Sequence, residues 1–504
     1  MGEVNVTVLS IIIGYMVLAL LVGLWASRKV KNSGDFLIAG GKMGFLMVAV
    51  TLAGGWEGTG ASIGVTQASY SQGIYTSFYS GFFAAGLILT VFTLLKFARF
   101  AAALTPAQLL GQMFGVETRL ITSVSLILST VIVLAMQLVG AAGIFSAVLG
   151  IPFVWAVFAV ILTAGLYTLI GGMVSNAWVN ILHATIHTVM AIAAIPVVLI
   201  WAGGWDSIVA SVPPRLMSID GVGFGNLAGW WWTLGLGVIV VCFQQIQMAA
   251  SSREAEKAFW FAAAFVAIFS VPFAIIGVVA AARFPGIPPL LALPRVAIAI
   301  NPVFGGLLLA AVVAAALSVI GSTFAGVPLL LINDVWKIAK PRSSDHELLI
   351  VARVTALATG VMALGIAVTI HNIVEANIFA FSFRTVLMFA ILGGLVLGGR
   401  RLITRSGGFW GVVCGIAGMF VGQFVAPGLG AANAAILFLI VGTAVVSAAT
   451  RRGGRFAPSI WKILESALVP ATLPTPQPPR PPARPSPQPA AKSTPRRKPT
   501  PKVA

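Results

Sequence analysis

The chain has 504 residues, of which 59% are hydrophobic and only 9% charged, and its mean hydropathy is +1.00. A soluble domain carries roughly 25% charged residues, so this composition argues against a water-soluble fold. The formal net charge of +18 does not indicate a nucleic-acid partner, because it is gathered in one tail and in alternate loops.

Apolar runs of about 20 residues, each long enough to cross a hydrocarbon core, recur along the chain. About 13 are expected, at 4–25, 44–70, 73–95, 119–148, 152–171, 177–202, 228–250, 258–283, 299–332, 349–371, 375–397, 408–425 and 430–450. The first is preceded only by Glu3 and lacks a basic leader, so it reads as a membrane helix, not a cleaved signal. The second, VAVTLAGGWEGTGASIGVTQASYSQG from Val48 to Gly73, places Gly54, Gly55, Gly58 and Gly60 around the carboxylate of Glu57. Broken backbone at membrane depth is tolerated only where it lines a cavity or is buried in protein. A discontinuous helix near the midplane is the usual solute and ion site of a secondary transporter. The seventh run repeats the theme, with Gly235 and Gly237 followed by Gln244, Gln245 and Gln247. Runs two and seven lie five apart, as two five-helix repeats of inverted topology would place them.

Arg28, Lys29, Lys31 and Lys42 follow the first run, Lys96, Arg99 and Arg119 flank the third loop, and Lys337, Lys340 and Arg342 follow the ninth. Arg400, Arg401 and Arg405 follow the eleventh, whereas the intervening loops hold chiefly Arg215, Arg283 and Arg295. By the positive-inside rule the N-terminus lies outside and the C-terminus in the cytoplasm of a cell membrane. Cys242 and Cys414 both fall inside runs, with no metal-ligand spacing. After an amphipathic piece at Ile460 to Leu468, the tail from Pro470 holds thirteen of the 28 prolines among basic residues. It reads as disordered, able to touch anionic headgroups or to offer Pro479–Pro482 and Pro485 to a cytosolic partner.

Five segments carry a resemblance: GDFLIAGGKMG at Gly34 to Gly44, SIGVTQASYSQG at Ser62 to Gly73, YTLIGGMVSNAWVNILH at Tyr167 to His183, FQQIQMAASSREAEKA at Phe243 to Ala258, and AAALSVIGSTFAGVPLLLINDVWK at Ala314 to Lys337. In this order the chain resembles the solute:sodium symporters. Within that family, GGWEGTGA and FAAAFVAIFSVPFAIIGVVAA are most similar to the high-affinity choline transporter branch. The resemblance implies an all-α polytopic membrane protein with the five-plus-five inverted repeat of the leucine transporter, one helix before it and two after. The implied division is 1–43, a first repeat 44–202, a second repeat 203–398, two helices within 399–450, and the tail 451–504.

It also implies a sodium site between the broken second helix and the ninth, mapping to carbonyls of Gly54, Glu57 and Ala315 and the hydroxyl of Ser318. Here the chain departs from the family. Val319 stands where a second hydroxyl is expected, Asn180 where an aspartate is, and His183 where a glutamine is. Glu57 could supply a charged sodium ligand, carry a coupling proton or face a cationic solute; a structural carboxylate is the plainer alternative. Arg384 is the other charge inside a run and could pair with Glu57, hold a solute carboxylate or snorkel. His183 and His187 share a helix face and could relay protons or merely pack. Ser322 joins Asn180, the two histidines and Arg384 as coupling or gating candidates. Solute contacts are expected from Trp56, Glu57, Tyr75, Tyr79, Gln137, Phe243, Gln244 and Gln245. Trp56 beside Glu57 would suit an ammonium group, whereas Trp230 to Trp232 read as an interfacial belt.

The expected function is symport of a small organic solute by alternating access, coupled to sodium or to protons. A membrane-embedded receptor of the same fold, and an uncoupled or proton-coupled carrier of an organic cation, are the alternatives. No nucleophile–base spacing, metal motif or phosphate loop suggests an enzyme, and no cofactor beyond the coupling ion is expected.

Overall fold

The computed structural model describes residues 6–31, 33–56, 58–95, 105–219 and 229–459. Glu57, the amphipathic piece from Ile460 and the proline-rich tail lie outside the described residues, and of Trp56 only the backbone is described. Helices dominate, because inside a bilayer each backbone group must find its partner within its own segment. Among the described residues there is no strand, only isolated bridges at Met43–Ala249 and Thr404–Phe456.

Helix α1 (Val6–Ser27) precedes a helix in two halves, α2 (Phe45–Trp56) and α3 (Val65–Gln72). Then come α4 (Tyr79–Phe92), α5 (Pro106–Phe114), α6 (Val116–Leu149) and the long α7 (Phe153–Trp201). The second half holds α8 (Trp231–Met248, interrupted), α9 (Ser252–Val266), α10 (Val271–Arg283) and α11 (Ala292–Ile300). It closes with α12 (Pro302–Leu331), α13 (Asp345–Ala367), α14 (Ile373–Leu397), α15 (Arg405–Phe420) and α16 (Ala431–Ala449). Eleven helices among the described residues are long and apolar enough to cross a membrane. Phe45–Gly55 and Phe153–Leu166 are shorter apolar helices, so an exact count of thirteen does not follow from length and composition.

Local chemistry sets the helix starts. The side chains of Ser251, Asn301, Ser344, Asn372 and Thr404 each accept a first-turn N–H of the helix that follows. α7 is broken into two helical arms by a sharp turn at Gly172, whose φ of 51° and ψ of −139° are open to glycine. Any side chain there would also run into Phe36, so the bend is fixed by packing as well as by backbone freedom. Small residues bring the helices close: Gly415 and Gly418 of α15 rest on Ala435, Leu439, Ala434 and Phe438 of α16. α12 is the central element, lying against α1, α6, α7, α11 and α13.

The candidate transport site

α2 ends at Trp56, so the carbonyls of its last turn have no partner further along their own helix. Backbone pairing resumes only past the break, where the Gly64 N–H donates to the Thr59 carbonyl at 2.7 Å in a π turn over Gly60–Gly64. The break is anchored by α6. Gln137 Oε1 accepts both the Thr59 N–H (2.7 Å) and the Thr59 hydroxyl (2.9 Å). A side chain at Gly58 would strike Gln137, and one at Gly60 would strike the Tyr79 hydroxyl, which itself pairs with the Asn377 amide.

On its other side the break meets α7 and α12. Ser318 donates to Asn180 Oδ1 at 2.6 Å, and any Cβ on Gly54 would fall on the Ser318 hydroxyl. One turn along both helices, Asn176 donates to Ser322 at 2.8 Å. Asn180 Nδ2 and Asn176 Oδ1 are buried without a partner. Gly54, Asn180, Ser318 and Ser322 therefore lie together, with Ala315 one turn earlier and buried. Val319 presents no hydroxyl, and the neutral Asn180 takes the place expected for an acid.

Two cavities meet at Gly55, Val133 and Val319. The smaller, about 20 Å³, is bounded by Gly58, Gly60, Tyr79, Gln137 and Asn377. The larger, about 110 Å³, runs from Gly55 past Phe243, Gln244, Gln245 and Arg384 to Thr105 and Leu330. Beyond it α6 is tied to the end of α12, where Asp334 accepts from Arg119 at 3.1 Å and from Thr105 at 2.9 Å. On the opposite side α3 is stitched shut. Gln67 donates to the His371 carbonyl (3.0 Å), Thr66 to that of Phe273 (3.0 Å) and Ser69 to that of Ala274 (2.7 Å).

Of the remaining candidates, Gln244 and Arg384 stay on the wall of the larger cavity and the others leave it. Tyr75 bonds Gln72 at 2.9 Å and leans on Trp230, away from both cavities. Trp230 is no interfacial belt residue: it is 7% exposed, in an aromatic cluster with Tyr75, Tyr79 and Phe82. Gln244 donates to the Leu37 carbonyl at 2.9 Å. His183 pairs with the Tyr15 hydroxyl and His187 lies edge-on to Phe269, so neither faces the break. Arg384 does not snorkel: at 3% exposure it sits mid-helix with its Nε on Ser129 Oγ at 2.8 Å. Sequence reasoning missed Thr59, Asn176 and Asn377. The spacing of Asn176 and Asn180, one helical turn, is the signal that could have revealed the first pair.

A broken helix packed against a buried central helix, with a polar junction and cavities meeting at the break, is the architecture of a secondary transporter. Residues 36–415 match the sodium:solute symporter family, and the chain belongs to it. Among solved structures, a Na+-coupled sialic acid symporter in a substrate-bound outward-open state superposes with a TM-score of 0.76. Its identity to this chain is 17%, over 89% of this chain and 98% of that one. A nucleobase-cation-symport-1 family transporter, closed with bromovinylhydantoin bound, matches at a TM-score of 0.54 and 15% identity, over 82% of this chain and 92% of that one. The protein is thus a multi-pass membrane protein of the leucine-transporter type and a solute transporter, not an enzyme.

Proposed function

We propose that the protein is a symporter that carries a small organic solute by alternating access, with sodium seated where α2, α7 and α12 meet. The observation behind this reading is the Ser318–Asn180 hydrogen bond lying on Gly54, at the C-terminal end of α2. A helix C-terminus carries a partial negative charge and unpaired carbonyls, which favour a cation. Gly54, Ala315 and Ser318 supply its first oxygens, and Asn180 orients Ser318. The repeats at 44–202 and 203–398 rock about this point. In this reading the positive-inside rule puts the Arg119–Asp334 end toward the cytoplasm, which makes the larger cavity the inward path and the α3 stitches the closed outer side.

Val319 favours a second reading. With one hydroxyl fewer, the site binds sodium less well, and protonation of Glu57 would supply the coupling in its place.

The test is solid-supported-membrane electrophysiology on proteoliposomes, perfused with small solutes with and without sodium at pH 5.5 and 7.5. A solute-evoked current that requires sodium, with half-saturation raised about tenfold by Ser318→Ala, supports the sodium reading. A current indifferent to sodium, abolished by Glu57→Gln and by collapse of the pH gradient, replaces it with proton coupling. Saturable binding with neither current nor uptake would make the protein a receptor.

A further inference from the structure

The buried cation of α14 has a use that the sodium junction does not explain. Arg384 is 3% exposed and sits at the middle of Ile373–Leu397. Its aim is set by three contacts. The Nε donates to Ser129 at 2.8 Å, Ser129 in turn donates to the Ala380 carbonyl at 2.7 Å, and the guanidinium carbon lies 4.2 Å from the centre of the Phe381 ring. Among the described residues no further hydrogen bond engages the guanidinium and no ion pair includes Arg384. The Nη groups are thus left to the 110 Å³ cavity that Arg384 lines. Nearby on the same wall Gln245 Oε1 is buried without a partner.

A guanidinium held inside a membrane protein is costly unless an anion meets it. Two adjacent Nη donors form a planar fork that matches a carboxylate. The rest of the wall is largely aliphatic, with Val240, Val319 and Leu329, and would suit a short apolar body. We infer that Arg384 is the solute-recognition residue and that the solute is a small organic carboxylate, received by the two Nη groups on the cavity wall. An organic cation would meet a like charge at this place. The inference rests on the transport reading for the word solute, but the binding site itself does not depend on movement.

The full-length protein is purified in detergent for thermal unfolding and reconstituted for uptake. The probes are acetate, propionate, butyrate, lactate and pyruvate, with propionamide as the uncharged isostere and choline chloride as the cation, all at one fixed sodium concentration made up with sodium chloride. At least one carboxylate should raise the unfolding temperature and enter the liposomes, while propionamide and choline do neither. Arg384→Gln should weaken that carboxylate's half-saturation about 10- to 100-fold, and Arg384→Lys should recover part of the loss by charge without the fork. If Arg384→Gln does not survive purification, the Lys variant carries the comparison.

A carboxylate that binds in an Arg384-dependent way but is not moved keeps this site and removes the transport reading. A neutral or cationic solute that is moved, with no carboxylate bound, keeps transport and overturns this inference. Absence of any shift with all five carboxylates overturns it as well. So does a Glu57→Gln/Arg384→Gln double variant that regains the uptake lost in Arg384→Gln, since Arg384 would then be an internal counter-ion.

Discussion

Two of the helix interruptions among the described residues, between α2 and α3 and in α8, are built from different materials. Between α2 and α3 the polypeptide is held by side chains from other helices: Gln137 on Thr59, Tyr79 and Asn377 beside Gly60, and Ser318 against Gly54. In α8 the interruption is a π turn over Trp231–Leu236, and it is held mainly by close packing. Gly86 of α4 lies directly on the Gly235 carbonyl and Val238, and Trp232 packs against Phe389. The first interruption presents hydroxyls, amides and helix-end carbonyls to two cavities, whereas the second presents a packed wall. A polar break can exchange ligands for water and ions, and a packed one can only pivot or hold still. The proposed site lies at the first, and the second is its proposed support.

The sharpest way to break that distinction is to fill the polar junction. Gly54→Val would drive a side chain onto Ser318, and uptake should be lost altogether. The cost to folding should stay near that of ordinary overpacking, about 1–3 kcal/mol, read as thermal unfolding of the purified variant. Uptake that survives would place the site elsewhere. Next in size is Gln137→Leu, which strips the acceptor from the Thr59 N–H inside the protein and leaves the Thr59 hydroxyl only the Met136 carbonyl at 3.2 Å. Such an orphaned donor costs about 1–3 kcal/mol, and the half-saturation for solute should rise along with the loss of stability. An unchanged melting curve would mean that water replaces the glutamine.

These two substitutions also mark how far the sequence could be read. The break was visible because four glycines and an acid in an apolar run have no use on a lipid-facing helix. Arg384 was visible because charge inside a span is rare. Gln137 was visible only as a polar residue in a span; that it grips Thr59, 78 positions earlier, depends on where α6 crosses α2 and α3. Trp230 misled for a related reason. A tryptophan that closes an aromatic cluster and one that floats at the lipid interface have the same composition and the same neighbours in sequence. Asn176 and Ser322 lay on the readable faces of Asn180 and Ser318, but only the packing of α7 against α12 pairs them.

A gain-of-function change sharpens the comparison further. Val319→Ser restores a hydroxyl beside Ser318, on the wall shared by both cavities. If sodium is the coupling ion, its half-saturating concentration should fall by about tenfold, the value of one good hydrogen-bond-scale contact. The readout is the sodium titration of solute-evoked current. A value that stays flat, or uptake that remains governed by pH alone, moves the coupling chemistry to Glu57.

The smallest effect belongs to the packed interruption. Thr385 of α14 donates to the Trp232 carbonyl at 2.9 Å and, within its own helix, to Phe381 at 3.1 Å. Thr385→Val keeps the shape and removes the hydroxyl, so one carbonyl of the π turn loses a partner while the aromatic packing stays. The expected cost is about 0.5–1.5 kcal/mol of stability, seen as a modest fall in unfolding temperature. The sodium titration and solute half-saturation should not move, because neither Thr385 nor Trp232 lines either cavity. A shift in either, at unchanged stability, would mean that α8 changes its hydrogen bonding during transport. The second interruption would then be a working part of the cycle, and the division between site and support would fall.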